Sequence, residues 1–316
     1  MLMPEQLVTA GETWKDQLDI EKLLKRPRQT NRDRIYIVND KYGFGRSLKH
    51  YAGTPEHHSI HGIIPHGAAA YGDLGGEPEA PKQELIDKIP CIFTSSERCF
   101  NAFWSAGKRH LFPIGLASIY VHECLKQEKR TGQGSLFFRS HSTAAIIDSL
   151  DDEQAISWLK SLPERFHPVN ISVFPFDYHR GIYKRYQEAG FRLVCAGTEY
   201  DENFIWRHLH LIKSHKYVLS TGMGTHIFHS VMCGKPTLVR RVDENYATKH
   251  KDFQKNLIED RSFQQLADNF AMETEEPNRK QMELAEEFLG TKNLASPETL
   301  RRFMDLAKKI HSRYQP

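Results

Sequence analysis

The stretch YVLSTGMGTHIFHSVMCGKPTLVR, residues 217–240, decides how this chain is read. Tyr217 to Ser220 is a short β-rich run, Thr221 to Thr225 carries two glycines and two threonines, an apolar segment follows to Gly234, and Pro236 to Arg240 is apolar again. That order predicts strand, turn, helix and a second parallel strand. Gly234 sits where a helix C-cap is expected. Glycines and hydroxyls between a strand and a helix expose backbone N–H groups at a helix N-terminus, an arrangement that attracts phosphate. The turn lacks the Walker spacing G-x-x-x-x-G-K-[ST]. Gly222 and Gly224 would also serve a plain tight turn.

Outward from this unit the pattern repeats. Ser135 to Arg139, Asn170 to Phe174 and Arg192 to Ala196 read as three further strands. Asp151 to Phe166 begins with acids suited to a helix N-terminus, and Asp201 to His215 places Phe204, Ile205, His208, Leu211 and Ile212 on one helical face. Upstream, Ile35 to Val38, Ser59 to Ile64 and Cys91 to Thr94 read as strands, with helices over Pro81 to Lys88 and Glu97 to Ala106 and an irregular loop over Gly67 to Pro81. Glu123 to Gly134 is polar and ends in glycine, which suits an interdomain linker. Beyond Asp260 helices take over, the last starting at Ser296-Pro297-Glu298. The expectation is an α/β chain of two Rossmann-like domains facing a cleft, residues 1–126 and 127–260, with a helical tail over 261–316.

The 316 residues are ample for two such domains. Lys plus Arg is 43 against 40 Asp plus Glu, too balanced for a chain built to coat nucleic acid, so no nucleic-acid partner is expected. Five scattered cysteines without a C-x-x-C pair suggest neither a disulfide framework nor a thiolate zinc site and fit a reducing cytoplasm. Charges break up the first twenty residues, against a secretory leader. The longest uncharged stretch, Tyr217 to Gly234, is interrupted by glycines, histidines and hydroxyls and does not read as a membrane span. Asp-x-Asp, G-x-S-x-G and a first-strand G-x-G-x-x-G are all absent. A metal-diphosphate clamp, a serine hydrolase and a nicotinamide dehydrogenase therefore lose their signatures.

SLFFRSHST, the strand ending in Pro175-Phe176-Asp177, Gly190-Phe191 leading to AGTEYD, and STGMGTHIFHSVMCGKP together resemble the second domain of bacterial GT-B glycosyltransferase-like proteins from surface-polysaccharide gene clusters. The resemblance spans roughly Leu111 to Val239. It implies a nucleotide-sugar donor in the second domain, a glycan or lipid-linked acceptor in the first, and no metal or cofactor. Carried onto this sequence, Ser220, Thr221, Gly222, Gly224, Thr225 and His226 would cradle donor phosphates. Arg139, Ser140, His141 and Ser142 would line the same cleft, and Glu199 would hold a ribose or sugar hydroxyl. A nucleotide-sugar epimerase and a non-catalytic nucleotide-sugar-binding protein are the alternatives.

Inverting glycosyl transfer needs a base, and HHSIHGIIPHG supplies His57, His58, His61 and His66. His61-Gly62 resembles a His-Gly step of related transferases, which makes His61 the first candidate and His66 the second. Exposed loop histidines are the plain alternative, and a zinc site is disfavoured because a strand would split the set across two faces. Lys41 to Arg46 after the first strand could contact acceptor or phosphate. The basic run Lys25, Arg26, Arg28, Arg32, Arg34 reads first as a solvated linker, leaving a peripheral contact at the inner face of a membrane as a minority reading.

Overall fold

The computed structural model describes residues 20–25, 35–67, 88–126, 132–139, 146–240, 244–248 and 266–314. Helix α1 (Ile20–Lys25) leads to a 3-10 segment over Ile37–Gly43 and then α2 (Phe44–Ala52). The expected strand at Ile35 to Val38 is therefore absent. Asn39 explains why: its side chain donates to the Gly62 carbonyl at 2.9 Å and accepts from the Ile64 amide at 2.9 Å, tying the segment down without a ladder. Ser59 to Ile64 is likewise reduced to one parallel bridge, Ile63 to Ile92. Strand β1 (Ile92–Thr94) pairs in parallel with β2 (Leu111–Pro113), a strand not read from sequence, across α3 (Glu97–Ser105). The Ser96 hydroxyl caps α3 by accepting from the Cys99 amide at 3.2 Å. Residues 81–87 of the expected Pro81 to Lys88 helix lie outside the described residues.

After α4 (Ser118–Cys124) the second half opens with β3 (Ser135–Phe138), β4 (Ile146–Leu150) and α5 (Asp152–Ser161). It continues with β5 (Val169–Ser172), α6 (Pro175–His179), α7 (Lys184–Glu188), β6 (Arg192–Val194), α8 (Phe204–Lys213), β7 (Tyr217–Ser220), α9 (Thr225–Met232), β8 (Thr237–Val239) and β9 (Glu244–Thr248). All five expected strands form one parallel sheet in the order β6-β5-β3-β7-β8. Ser135 to Phe138 align with Val169 to Ser172 on one side and Tyr217 to Ser220 on the other. Every residue of β3 and β7 is buried, as expected of central strands covered on both faces. A separate antiparallel pair, β4 with β9, was not anticipated, because Glu244 to Thr248 is too polar to read as a strand.

The final helices α10 (Arg279–Leu289) and α11 (Pro297–Tyr314) form the expected helical C-terminal region and pack into the body of the fold. Phe288 of α10 stacks on Phe228 of α9 at 4.6 Å, and Phe303 of α11 meets Phe112 of β2 at 5.4 Å. One continuous core joins Phe44, Phe93 and Phe112 to Leu136, Val218 and Phe228 and on to Phe288 and Leu300. Nor are the ends of the expected Glu123 to Gly134 linker loose. Leu125 is buried and its carbonyl accepts from Lys213, while the Gly134 carbonyl accepts from the Lys216 and Tyr217 amides. Residues 127–131 lie outside the described residues.

Gly290 closes α10 with φ +65, and a Cβ built there would lie 1.8 Å from the Ser95 carbonyl oxygen. Gly290→Ala is expected to cost at least about 1–2 kcal/mol from the left-handed backbone alone. Displacement of the Ser95 backbone adds to that, measurable as a lower urea midpoint.

Candidate functional site

The turn after β7 begins with Ser220 and Thr221, both buried, whereas Gly222 to His226 are partly exposed. Ser220 Oγ lies 3.0 Å from the Phe138 carbonyl, 2.8 Å from the Gly222 carbonyl and 2.9 Å from His226 Nε2, and accepts from the Gly222 amide at 3.3 Å. One hydroxyl proton can serve one carbonyl, so the arrangement favours His226 carrying its proton on Nε2 and donating to Ser220. The His226 ring also packs on Phe138 at 4.7 Å. Ser220 therefore braces the turn from inside. Gly224 is the N-cap of α9 and offers no side-chain cap, leaving the helix N-terminus without an internal carboxylate or hydroxyl at that position.

The first half brings a second group of residues to this turn. A Cβ built on Gly67 would lie 3.7 Å from Thr225 Oγ1, so the His66-Gly67 step faces the start of α9. Tyr42 packs between His66, at 6.2 Å, and Phe204, at 4.9 Å. Its backbone is left-handed, φ +56, alone among the described non-glycine residues, and its amide donates to the Glu199 carbonyl at 2.6 Å. Strain of this kind persists where surrounding contacts over-determine it. Burial, reinforced by Glu199, pushes the Tyr42 phenol up to about 12. Lys41 Nζ sits 3.4 Å from Glu199 Oε2, a half-exposed pair whose worth is positional more than energetic. Arg46 pins the neighbouring loop, reaching Glu202 at 2.9 Å and Asn203 Oδ1 at 2.8 Å.

His66 is held below the ordinary imidazole value by burial and then by the Lys41 charge, with Glu199 opposing. It is therefore neutral near pH 7 and able to accept a proton. His61 stands elsewhere: its ring lies 5.0 Å from His311 of α11, toward the opposite end of the Ile63 bridge from His66. Of the two histidines, the structure brings His66 to the turn. Glu199 is held beside Tyr42 and Lys41, and Thr225 lies beside Gly67, whereas Arg139 does not present its charge to an open cleft. It is buried, with Nε 2.7 Å from Asp152 and Nη1 3.8 Å from Asp177. Tyr186 completes this buried set by donating to Asp152 at 2.8 Å. Ser140, His141 and Ser142 lie outside the described residues. Among the described residues no three His, Cys, Asp or Glu side chains gather as metal ligands.

Beneath the turn runs a histidine pair of which sequence reading placed only His208, on a helical face. His208 Nε2 is 3.2 Å from His229 Nδ1, and His229 Nε2 is 2.8 Å from Ser118 Oγ of the first half. Burial lowers His208 to about 4 and His229 well below its usual value, so both are neutral and act as hydrogen-bond links between α8, α9 and α4. Tyr42 and His208 were legible only as turn and helical-face positions, because the contacts of Tyr42 with Glu199 and Phe204, and of His229 with Ser118, join segments over a hundred residues apart.

No protein-family model matches the chain, and no curated protein matches it. Among solved structures it is similar to Anabaena Alr3699/HepE in complex with UDP, at 14% identity over 72% of this chain and 66% of that one, TM-score 0.29. It is also similar to UDP-GlcNAc 2-epimerase from Neisseria meningitidis bound to UDP-GlcNAc, at 14% identity over 85% and 73%, TM-score 0.40. A further similarity is to WaaG, a glycosyltransferase involved in lipopolysaccharide biosynthesis, at 14% identity over 71% and 62%, TM-score 0.26. The chain thus spans about two thirds of the length of the HepE structure it matches.

Proposed function

We propose that the chain is a GT-B-like glycosyltransferase that moves a sugar from a nucleotide-sugar donor to a glycan or lipid-linked acceptor without a metal ion. The observation that carries this reading is the approach of Gly67 to Thr225, which sets the His66 segment opposite the N-terminus of α9. Donor phosphates would lie against Thr221 to Thr225, where the helix N-terminus and backbone amides stabilise the charge of the departing diphosphate. Glu199 would take a ribose or sugar hydroxyl. Residues 1–126 would carry the acceptor and 127–260 the donor. In the transfer step the acceptor hydroxyl oxygen bonds to the anomeric carbon, the bond from that carbon to the diphosphate oxygen breaks, and the hydroxyl proton passes to neutral His66. His66 takes this role in place of His61 because His61 packs against α11.

The test separates binding from chemistry. A nucleoside diphosphate that binds the native state raises the melting temperature. A Thr221→Ala/Thr225→Ala variant is expected to lose that shift, and unchanged donor binding there would sink the site. His66→Gln is expected to keep the shift while turnover falls about 10²- to 10⁴-fold, the range for losing a general base. Conversion of the donor sugar with no acceptor present would favour the epimerase reading instead.

A further inference from the structure

On the reading of His66 as the base of the transfer step, we infer that Tyr42 is a positioning residue for its imidazole, and that Lys41 beside it acts on the same ring through its charge. Although both halves of the chain crowd it, His66 is solvent-accessible. An accessible imidazole is free to turn, and a base that must meet an acceptor hydroxyl within hydrogen-bond reach has to be held. Among the described residues the one ring it meets is Tyr42, centroid to centroid at 6.2 Å and tilted by 43°.

Tyr42 is itself fixed from the second half. Its amide donates to the Glu199 carbonyl, and its ring packs on Phe204. Gly43, left-handed at φ +71, brings the chain so close to the second half that a Cβ there would lie 2.1 Å from the Glu202 carbonyl oxygen. A glycine at position 42 would adopt the φ +56 backbone freely. What the tyrosine adds, against that conformational preference, is a ring set between Phe204 and His66. Two charges act on the imidazole, Lys41 from the 3-10 segment and Glu199 from the loop after β6, and the Lys41 effect is the larger. Lys41 also lies over the Tyr200 ring at 5.8 Å, while Arg46 and Glu202 neutralise one another at 2.9 Å. On the α9 side the neighbouring Gly67 faces the Thr225 hydroxyl, which carries no charge. Lys41 therefore disfavours the imidazolium and keeps the ring able to accept a proton.

The experiment follows His66 in the full chain by NMR of labelled histidine rings, without ligand, its signal being the one lost in His66→Gln. Lys41→Met is expected to move the His66 titration to higher pH, since removing the cation leaves the Glu199 carboxylate to favour the imidazolium. Lys41→Met/Glu199→Gln, which removes both opposing charges, should bring it back toward wild type. Tyr42→Gly suits the left-handed backbone and deletes the ring. It is expected to shift the His66 ring signal toward that of a free imidazole and to raise its picosecond-to-nanosecond mobility, whereas Tyr42→Phe, which restores the ring, should match wild type. The Lys41 arm stands whether or not Tyr42→Gly folds. A His66 titration that Lys41→Met leaves in place, or a His66 ring as ordered in Tyr42→Gly as in wild type, overturns the inference. Neither result touches the transfer reading, which falls instead if His66→Gln keeps full turnover.

Discussion

Arg139→Ala is expected to destabilise the chain by about 3–5 kcal/mol, the cost of leaving buried carboxylates without their cation. The guanidinium lies at the carboxyl end of β3 with Asp152 and Asp177 around it, and neither its side chain nor Asp177's has appreciable exposure. Tyr186 donates to the same Asp152, so removing Arg139 strands a connected set and not a single pair. Urea unfolding checks this directly. A fall in stability that appears without any nucleotide, and is not restored by one, identifies Arg139 as a brace between β3 and the helices α5 and α6 that carry Asp152 and Asp177. If Arg139→Ala instead unfolds like wild type and loses only nucleotide-dependent stabilisation, the ion pairs count for little and the arginine is a ligand contact.

Acidification is expected to cost about 2 kcal/mol of stability between pH 7.5 and 5 through His208 alone. Its pKa falls from 6.5 in the unfolded chain to about 4 in the fold, where burial disfavours the imidazolium. The unfolded chain therefore binds the proton first. The contribution is fully present above pH 6.5 and is lost progressively as pH drops toward 4, after which it changes no further. His229, lowered in the same direction by burial and by its histidine neighbours, adds to the slope. Urea midpoints across this range measure it, and His208→Gln should flatten the profile near pH 5 to 6. A profile that stays flat in the wild-type chain would mean that the pair is solvated in solution. Loss of the pair would also loosen α9 against α4 through the His229 to Ser118 contact, linking the candidate site's helix to the first half.

How much of this was legible in advance differs between the halves. The five strands of the second half were read within a few residues because each is a short apolar run bounded by turn residues, and the central β3 and β7 are buried on both faces, which local composition reports well. The first half misled at Ile35 to Val38, where the same apolar signal serves a 3-10 segment held by Asn39. It also misled over β2, whose three residues are too few to show a period.

At the site, the glycines and threonines of the turn stood out because turn chemistry is local in sequence. The approach of Gly67 to Thr225, and the retreat of Arg139 into carboxylates, could not be read, since each joins segments whose distance is set by packing.

The order of residues alone therefore determined the parallel sheet, the crossover helices and the glycine- and threonine-bearing turn after β7, all products of neighbouring residues acting within one element. Only the tertiary structure decided that His66 and not His61 meets that turn and that the last helices complete a shared core. Those outcomes depend on which faces find a partner to bury against, and that is a property of the assembled chain rather than of any stretch of it.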